Sequence, residues 1–383
     1  NVRKKRGLKR PVSVEEAMPN TFRPAPRERK PAVLGNPVVD PAGWRAEDFK
    51  DNEDFIYHLA DTEVGEILAA ARRVKDSGIA LKDVTRDEFE MPTFGRVMTQ
   101  IVREEVLRGR GFIFLRGLPV VDGGVLPNAI AHWGLSTYVG QAQPQNMKGN
   151  LLEHVKNAGG DIDSPTGRGY NSANALGFHS DTSDILTLMC LHGSKSGGEH
   201  RLVSSVTVYN EMLKRRPDYA KELEFHFYRT RRGEFPADEP KFHRQPVFSV
   251  AEGYFSARGA SSTIKRAQRM DGVPKLTPAQ QEAIDYYQSL AGELSLYIDW
   301  RPGDIYYVFN HVHLHARTAY EDWPEQHRRR HLLRLWLASP GCRPLHPSIA
   351  EDMTGIKLVV GTELKTPMDM TLVGPALSIN YLK

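Results

Sequence analysis

The chain has 383 residues, 40% of them hydrophobic and 26% charged, with 51 Lys and Arg against 47 Asp and Glu for a formal net charge of +4. Such a chain can bury a large core, and no run of 18 apolar residues is present to cross a membrane. Two cysteines, Cys190 and Cys342, exclude a disulfide framework and a cysteine-built zinc site; with no apolar secretory segment in view, a reducing, cytoplasmic setting is expected.

Residues 1–45 carry Pro19, Pro24, Pro26, Pro31, Pro37 and Pro41 and read as an extended or partly disordered arm. Its first residues are basic (Arg3, Lys4, Lys5, Arg6, Lys9, Arg10), but basic clusters are weak signals. They read as a solvated terminus, and nucleic acid is not an expected partner. Residues 46–383 read as one domain whose core spans about 100–340. Within it Val64, Ile67, Leu68, Ala71 and Val74 recur at helical spacing, and residues 94–108 predict a second helix. The apolar run Phe112-Ile113-Phe114-Leu115, bounded by Gly111 and Pro119, predicts a buried strand. Residues 127–138 predict another helix.

From Gly177 onward short strands predominate. Residues 185–191 and 202–206 are strand-like, and residues 207–216 predict a helix stopped by Pro217. Short strand candidates fill residues 224–275 between Gly, Pro and charged positions. Residues 278–295 predict an amphipathic helix with Thr277 as N-cap. Pro302-Gly303-Asp304 turns into a strand at 305–310, and residues 332–337 form a late core strand. This pattern predicts a mainly β fold, a sandwich or barrel with flanking helices.

The chemistry starts at Phe178-His179-Ser180-Asp181. Strand side chains alternate, so His179 and Asp181 would project together. An imidazole and a carboxylate, completed by a second His, make the 2-His-1-carboxylate set that suits non-heme iron. With 14 His in the chain, His-x-Asp alone is weak. Far along the chain lies His311-Val312-His313-Leu314-His315, three imidazoles at alternate positions. Together they offer a zinc site; singly, one of them offers the missing third ligand. A third element is Arg330-His331-Leu332-Leu333-Arg334. Arg334 among apolar neighbours is costly unless it meets an anion, and Arg330 shares its face if the strand is continuous. Two guanidiniums suit a carboxylate-bearing co-substrate.

These stretches resemble the Fe(II)/2-oxoglutarate-dependent dioxygenases of the TauD/TfdA (taurine dioxygenase, clavaminate-synthase-like) superfamily. The matching residues run in order from 109–119 through Arg168-Gly169-Tyr170, Phe178-His179-Ser180-Asp181 and Leu188-Met189-Cys190-Leu191. Gly197-Gly198-Glu199, Ser204-Ser205 and Tyr209-Asn210-Glu211 follow. Pro302-Gly303-Asp304, Asn310, Leu314-His315-Ala316-Arg317 and Arg330-His331-Leu332-Leu333-Arg334 close the set.

The resemblance implies a distorted double-stranded β-helix (jelly roll), with iron held by His179, Asp181 and His315. It also implies Arg330 on the distal carboxylate of 2-oxoglutarate, Arg334 near an anionic group of the substrate, and O₂ as oxidant. Asp181 argues against halogenation, because related halogenases lack that carboxylate. One position departs from the pattern: His200 stands where members often carry Thr or Ser beside 2-oxoglutarate. An imidazole can donate the same hydrogen bond, and Thr187 or Ser204 are the other candidates.

Tyr170, Asn171 and Asn174 precede the metal pair and, with Arg334, are candidates to meet a small polar or anionic substrate. The expected reaction is oxidation of an unactivated C–H, most simply hydroxylation, with release of succinate and CO₂. A zinc hydrolase or lyase built on His311, His313 and His315, and a non-catalytic jelly-roll binding protein, are the competing readings. A homo-oligomer is compatible with the sequence.

Overall fold

The structure, a computed structural model, describes residues 22, 25, 28–121, 124–160, 169–260, 262–339, 341–353 and 355–368. The basic terminus and Arg168 lie outside the described residues. Seventeen strands run in chain order through the described residues. They are β1 Ile56–His58, β2 Phe112–Arg116, β3 Gln141–Ala142, β4 Leu152–Val155, β5 Leu176–His179 and β6 Ile185–His192. Next come β7 Ser196–Gly197, β8 His200–Ser204, β9 Phe227–Thr230, β10 Phe242–Gln245, β11 Phe248–Ala251 and β12 Tyr254–Ala257. The last are β13 Leu296–Ile298, β14 Ile305–Phe309, β15 His313–Arg317, β16 Tyr320–Glu321 and β17 His331–Ala338.

The mainly β expectation holds. A seven-stranded sheet has the order β1-β2-β14-β6-β17-β3, with β4 also paired to β17. A four-stranded sheet has the order β13-β8-β15-β5. The alternation of β6 shows how the layers divide. Leu186, Leu188 and Cys190 join Phe114, Leu202, Tyr306 and Trp336 in an apolar cluster drawn from both sheets. Ile185, Met189 and Leu191 join the larger cluster shared with the helices. One strand thus serves two cores, which explains its unbroken apolar sequence.

The predicted helices appear at Asp61–Ser77, Phe94–Ile101, Val125–Ser136, Ser205–Arg215 and Pro278–Glu293. Thr277 caps the last as expected: its side chain accepts from Gln280 N at 3.2 Å, and the Gln280 side chain reciprocates. Several details differ. The helix at Phe94 continues as a π-helical turn, Val102–Leu107. The helix expected at 207 starts at Ser205, because Ser204 Oγ accepts from Thr207 N at 3.1 Å and ends the strand there. A further short helix, Ser262–Ala267, was not expected.

The arm is laid over the body where it is described. Ala32 N donates to Gly253 O at 2.8 Å, and the Asn210 side chain bonds both Val38 N and Val38 O at 2.8 Å. Its last buried residue, Trp44, stacks on His313 with ring centroids 5.6 Å apart. The hairpin β9–β10, residues 258–260 just after β12 and the helix Ser262–Ala267 contribute to the wall of the cavity described next.

Candidate active site

Strands β5 and β15 are antiparallel neighbours, and their register sets His179 directly opposite His315. Facing residues on one side of a sheet lie within contact, and the two rings are 4.2 Å apart. Asp181 lies two residues past the end of β5, so strand alternation does not aim it. Instead its backbone N–H donates to Asn310 Oδ1 at 3.2 Å, and its carbonyl accepts from Arg258 Nη1 at 2.9 Å. The ligand atoms of His179, Asp181 and His315 all lie within 4.8 Å of one another.

Hydrogen bonding prepares two of these three as ligands. Gly177 O can only accept, so His179 Nδ1, 2.8 Å away, carries the proton and Nε2 keeps its lone pair. That Nε2 is 4.0 Å from Asp181 Oδ1. The other oxygen, Oδ2, accepts from Trp336 Nε1 at 2.9 Å and lies 3.5 Å from Arg334 Nη1. Burial favours the neutral carboxylic acid, but Arg334, then His315 and His179, outweigh it and hold Asp181 well below the usual carboxylate range. Burial pushes the His179 and His315 imidazoles down, so both are neutral at pH 7. Two neutral nitrogens and an anionic oxygen make a coherent donor set for a divalent cation.

The three open onto a cavity of about 410 Å³ whose wall includes His200, Arg317, Arg330 and Arg334. Arg330 is 4% exposed, and its Nη1 has no hydrogen-bond partner. Arg317 Nε and Nη1 are in the same condition. Buried guanidinium N–H groups left without a partner beside a cavity fit an anion better than they fit an empty core. His200 Nε2 bonds Tyr306 Oη at 3.0 Å, and its ring stacks on His315 at 5.9 Å. Burial, then the Arg330 charge, pushes His200 down to about 3, so it is a neutral hydrogen-bonding group.

Several expected site residues are elsewhere. Thr187 is on the opposite face of β6, bonded to His132 Nε2 at 2.9 Å, away from the cavity. Ser204 is spent on Ala42 O and its helix cap. Asn171 lines a separate side cavity with Glu153 and Glu234, while Asn174 is exposed and offers its carbonyl to Arg317. Tyr170 borders both cavities, its ring 4.5 Å from the Arg334 guanidinium.

The three alternate histidines do not converge. His311 precedes β15 and bonds Asp184 Oδ1 at 2.8 Å. His313 uses both nitrogens, Nε2 accepting from Trp44 Nε1 at 3.0 Å and Nδ1 donating to Phe309 O at 3.1 Å. Asp184, His311 and Cys342 also cluster, but His311 and Ser339 N already occupy both Asp184 oxygens. Sequence reasoning passed over Trp336, although it sits two residues from Arg334 and so shares its face. It also missed Arg229 and Arg258, for which no periodic signal existed.

Comparison with known proteins agrees with this chemistry. The family model described as "Taurine catabolism dioxygenase TauD, TfdA family" matches residues 85–336. FR-33289 synthase of Streptomyces rubellomurinus is 30% identical over 336 residues, covering 85% of this chain and 97% of that protein. The taurine hydroxylase-like protein SAT17 of Stachybotrys chartarum is 28% identical over 332 residues, covering 80% of this chain and 83% of that one. Among solved structures, an asparagine oxygenase in complex with Fe(II), 2S,3S-3-hydroxyasparagine and succinate superposes with a TM-score of 0.58 at 18% identity, covering 74% of this chain and 93% of that one. The non-heme iron oxygenase OrfP, in complex with Fe and alpha-ketoglutaric acid, gives 0.55 at 16% identity, covering 78% and 99%. These two likenesses show a shared fold. The match over most of its length makes this chain a member of the TauD/TfdA dioxygenase family, and therefore an oxidoreductase.

Proposed function

We propose that the protein is a non-heme iron, 2-oxoglutarate-dependent oxygenase that hydroxylates an unactivated C–H of a small polar or anionic molecule. The observation that carries this reading is the convergence of His179, Asp181 and His315 within 4.8 Å at a cavity that Arg330 also lines. In this reading those three residues hold Fe(II), and Arg330 takes the far carboxylate of 2-oxoglutarate with His200 beside it. Bound there, iron and 2-oxoglutarate supply the activation of O₂, with succinate and CO₂ as co-products.

The chain's own contribution is placement and exclusion of water. The Gly177 carbonyl fixes the His179 tautomer, so no proton competes for Nε2. Trp336 and Arg334 occupy Asp181 Oδ2 and leave Oδ1 facing His179. His200 gives a neutral contact, and its bond to Tyr306 sets the orientation of its ring. The buried guanidinium of Arg330 offers a planar fork of donors to a carboxylate. Leu186, Leu188 and Trp336 close the cavity with apolar surface. Wall guanidiniums favour anionic substrates, and Tyr170 over Arg334 suits a short one.

The test is a panel of amino acids and short organic acids, scored by succinate formation with Fe(II) and 2-oxoglutarate. A substrate-dependent rise in succinate, with an oxygenated product, is expected. Zinc in place of iron, with no consumption of 2-oxoglutarate, contradicts the reading.

A further inference from the structure

The hairpins β9–β10 and β11–β12 bring two arginines to the cavity wall that the iron chemistry does not use. Arg229, from β9, is 4% exposed, and Arg258, just past β12, is 7% exposed. Both are tied to the metal-bearing loop. Arg258 Nη1 donates to the Asp181 carbonyl at 2.9 Å, and Arg229 Nη1 donates to the Gly259 carbonyl at 2.6 Å. Gly259 itself packs on the His179 backbone, where an added Cβ would come within 2.7 Å of His179 Cα.

The remaining donors are unpaired. Arg229 Nε and Nη2, the side-on fork of its guanidinium, have no hydrogen-bond partner, and neither has Arg258 Nε. A planar carboxylate fills one fork with two oxygens; three unpaired donor nitrogens on two guanidiniums match an end with three oxygens. The carboxylate close to both, Asp352, has Oδ2 committed to Gln245 Nε2 and, at 3.3 Å, to His243 Nε2. Burial also pushes its carboxyl upward, toward the neutral form. Two buried cations so poorly matched cost several kcal/mol unless an anion joins them. Arg232 adds a further sign of a built site: it is held at φ 54°, a strained conformation for a non-glycine residue, beside both cavities, and its charge is felt at His179.

We infer that Arg229 and Arg258 form the anion pole of the substrate site and select a molecule ending in a three-oxygen dianion, a phosphonate or a phosphate monoester. The inference rests on the oxygenase reading above and names its substrate class. Because Arg258 holds the carbonyl of residue 181 and Arg229 that of residue 259, the dianion lies against the metal-bearing loop, and the oxidised C–H is within a few bonds of it. Arg330 is left to 2-oxoglutarate, and Arg334 stays paired with Asp181.

Calorimetric titration of the anaerobic enzyme loaded with Fe(II) and 2-oxoglutarate tests this. The probes are propylphosphonate, propyl phosphate, propylsulfonate (the same shape with less charge) and butanoate. Propylphosphonate or propyl phosphate is expected to bind at least tenfold tighter than butanoate and at least threefold tighter than propylsulfonate; the tighter of the two names the source of the dianion. Arg229→Gln should weaken that ligand at least tenfold while the Kd for 2-oxoglutarate changes less than twofold. If Arg229→Gln does not melt as a folded protein, Arg258→Lys serves in its place, and the wild-type ranking stands by itself. Butanoate or propylsulfonate equalling both dianions overturns the inference, as does an arginine substitution in the folded enzyme without effect. If 2-oxoglutarate binds in an iron-dependent way, such a result leaves the oxygenase reading intact. If it does not bind, that reading fails and the inference falls with it.

Discussion

Asp181 shows how much one residue depends on its neighbours. Its Oδ2 is held by an indole N–H at 2.9 Å and faces a guanidinium at 3.5 Å, which leaves Oδ1 as the oxygen toward His179. Groups that orient a metal ligand in this way typically contribute 10–100-fold in metal affinity. Trp336→Phe keeps an aromatic ring, though a smaller one, and removes the donor. We therefore expect about a 10–100-fold weaker Fe(II) affinity in a variant that still folds, its melting temperature lowered by the smaller buried ring, read by metal titration alongside thermal unfolding. Equal affinity in the variant would assign Trp336 to packing alone. The grouping of His179, Asp181 and His315, proposed here as the iron site, was legible in the sequence because such a site needs those residue types and the resemblance selects His315 over its neighbours. The reason His313 stays outside that group was not legible. It lies on the same strand as His315, but Trp44, remote in sequence, takes its Nε2.

At the scale of elements, β5 and β15 were readable as strands, yet strand alternation gave the wrong reason for the position of Asp181. The loop after β5 is aimed by Asn310 and Arg258 and packs on Gly259. A Cβ at residue 259 would meet backbone atoms, His179 Cα at 2.7 Å and Ser180 N at 3.0 Å, which cannot swing away as a flexible side chain would. Gly259→Ala is accordingly expected to lose at least tenfold in Fe(II) affinity and roughly 1–3 kcal/mol of stability, measured by metal titration and urea unfolding. A variant indistinguishable from wild type would show that the loop is not pressed against the hairpin. Thr187 illustrates a different failure. Parity along β6 separates it from Leu186 and Leu188, but period two alone does not say which set faces the cavity. The hairpins carrying Arg229 and Arg258 are too short, and too polar, to announce their partners.

Across the whole molecule, burial of neutral imidazoles couples stability to pH. His132, His200 and His313 are each pushed from the usual 6.5 down to about 3, chiefly by burial. The unfolded chain therefore binds more protons than the folded one between pH 6.5 and 3, and stability is lost as pH falls through that window. Each such group costs about 1.4 kcal/mol per pH unit there, so the three together predict a loss of about 4 kcal/mol from pH 7.5 to 5.5. Urea unfolding of the metal-free protein at the two pH values measures it, and a flat profile would contradict this account of the buried imidazoles.

The same two-sheet arrangement that buries these rings brings residues 179, 181 and 315 together and keeps residues 311 and 313 apart from them. Anaerobic Fe(II) titration of the wild type, His315→Ala and His313→Ala tests that claim most directly. One Fe(II) per chain is predicted for wild type and for folded His313→Ala, and loss of binding for His315→Ala. Iron bound as tightly by His315→Ala as by wild type, or lost from folded His313→Ala, would contradict it.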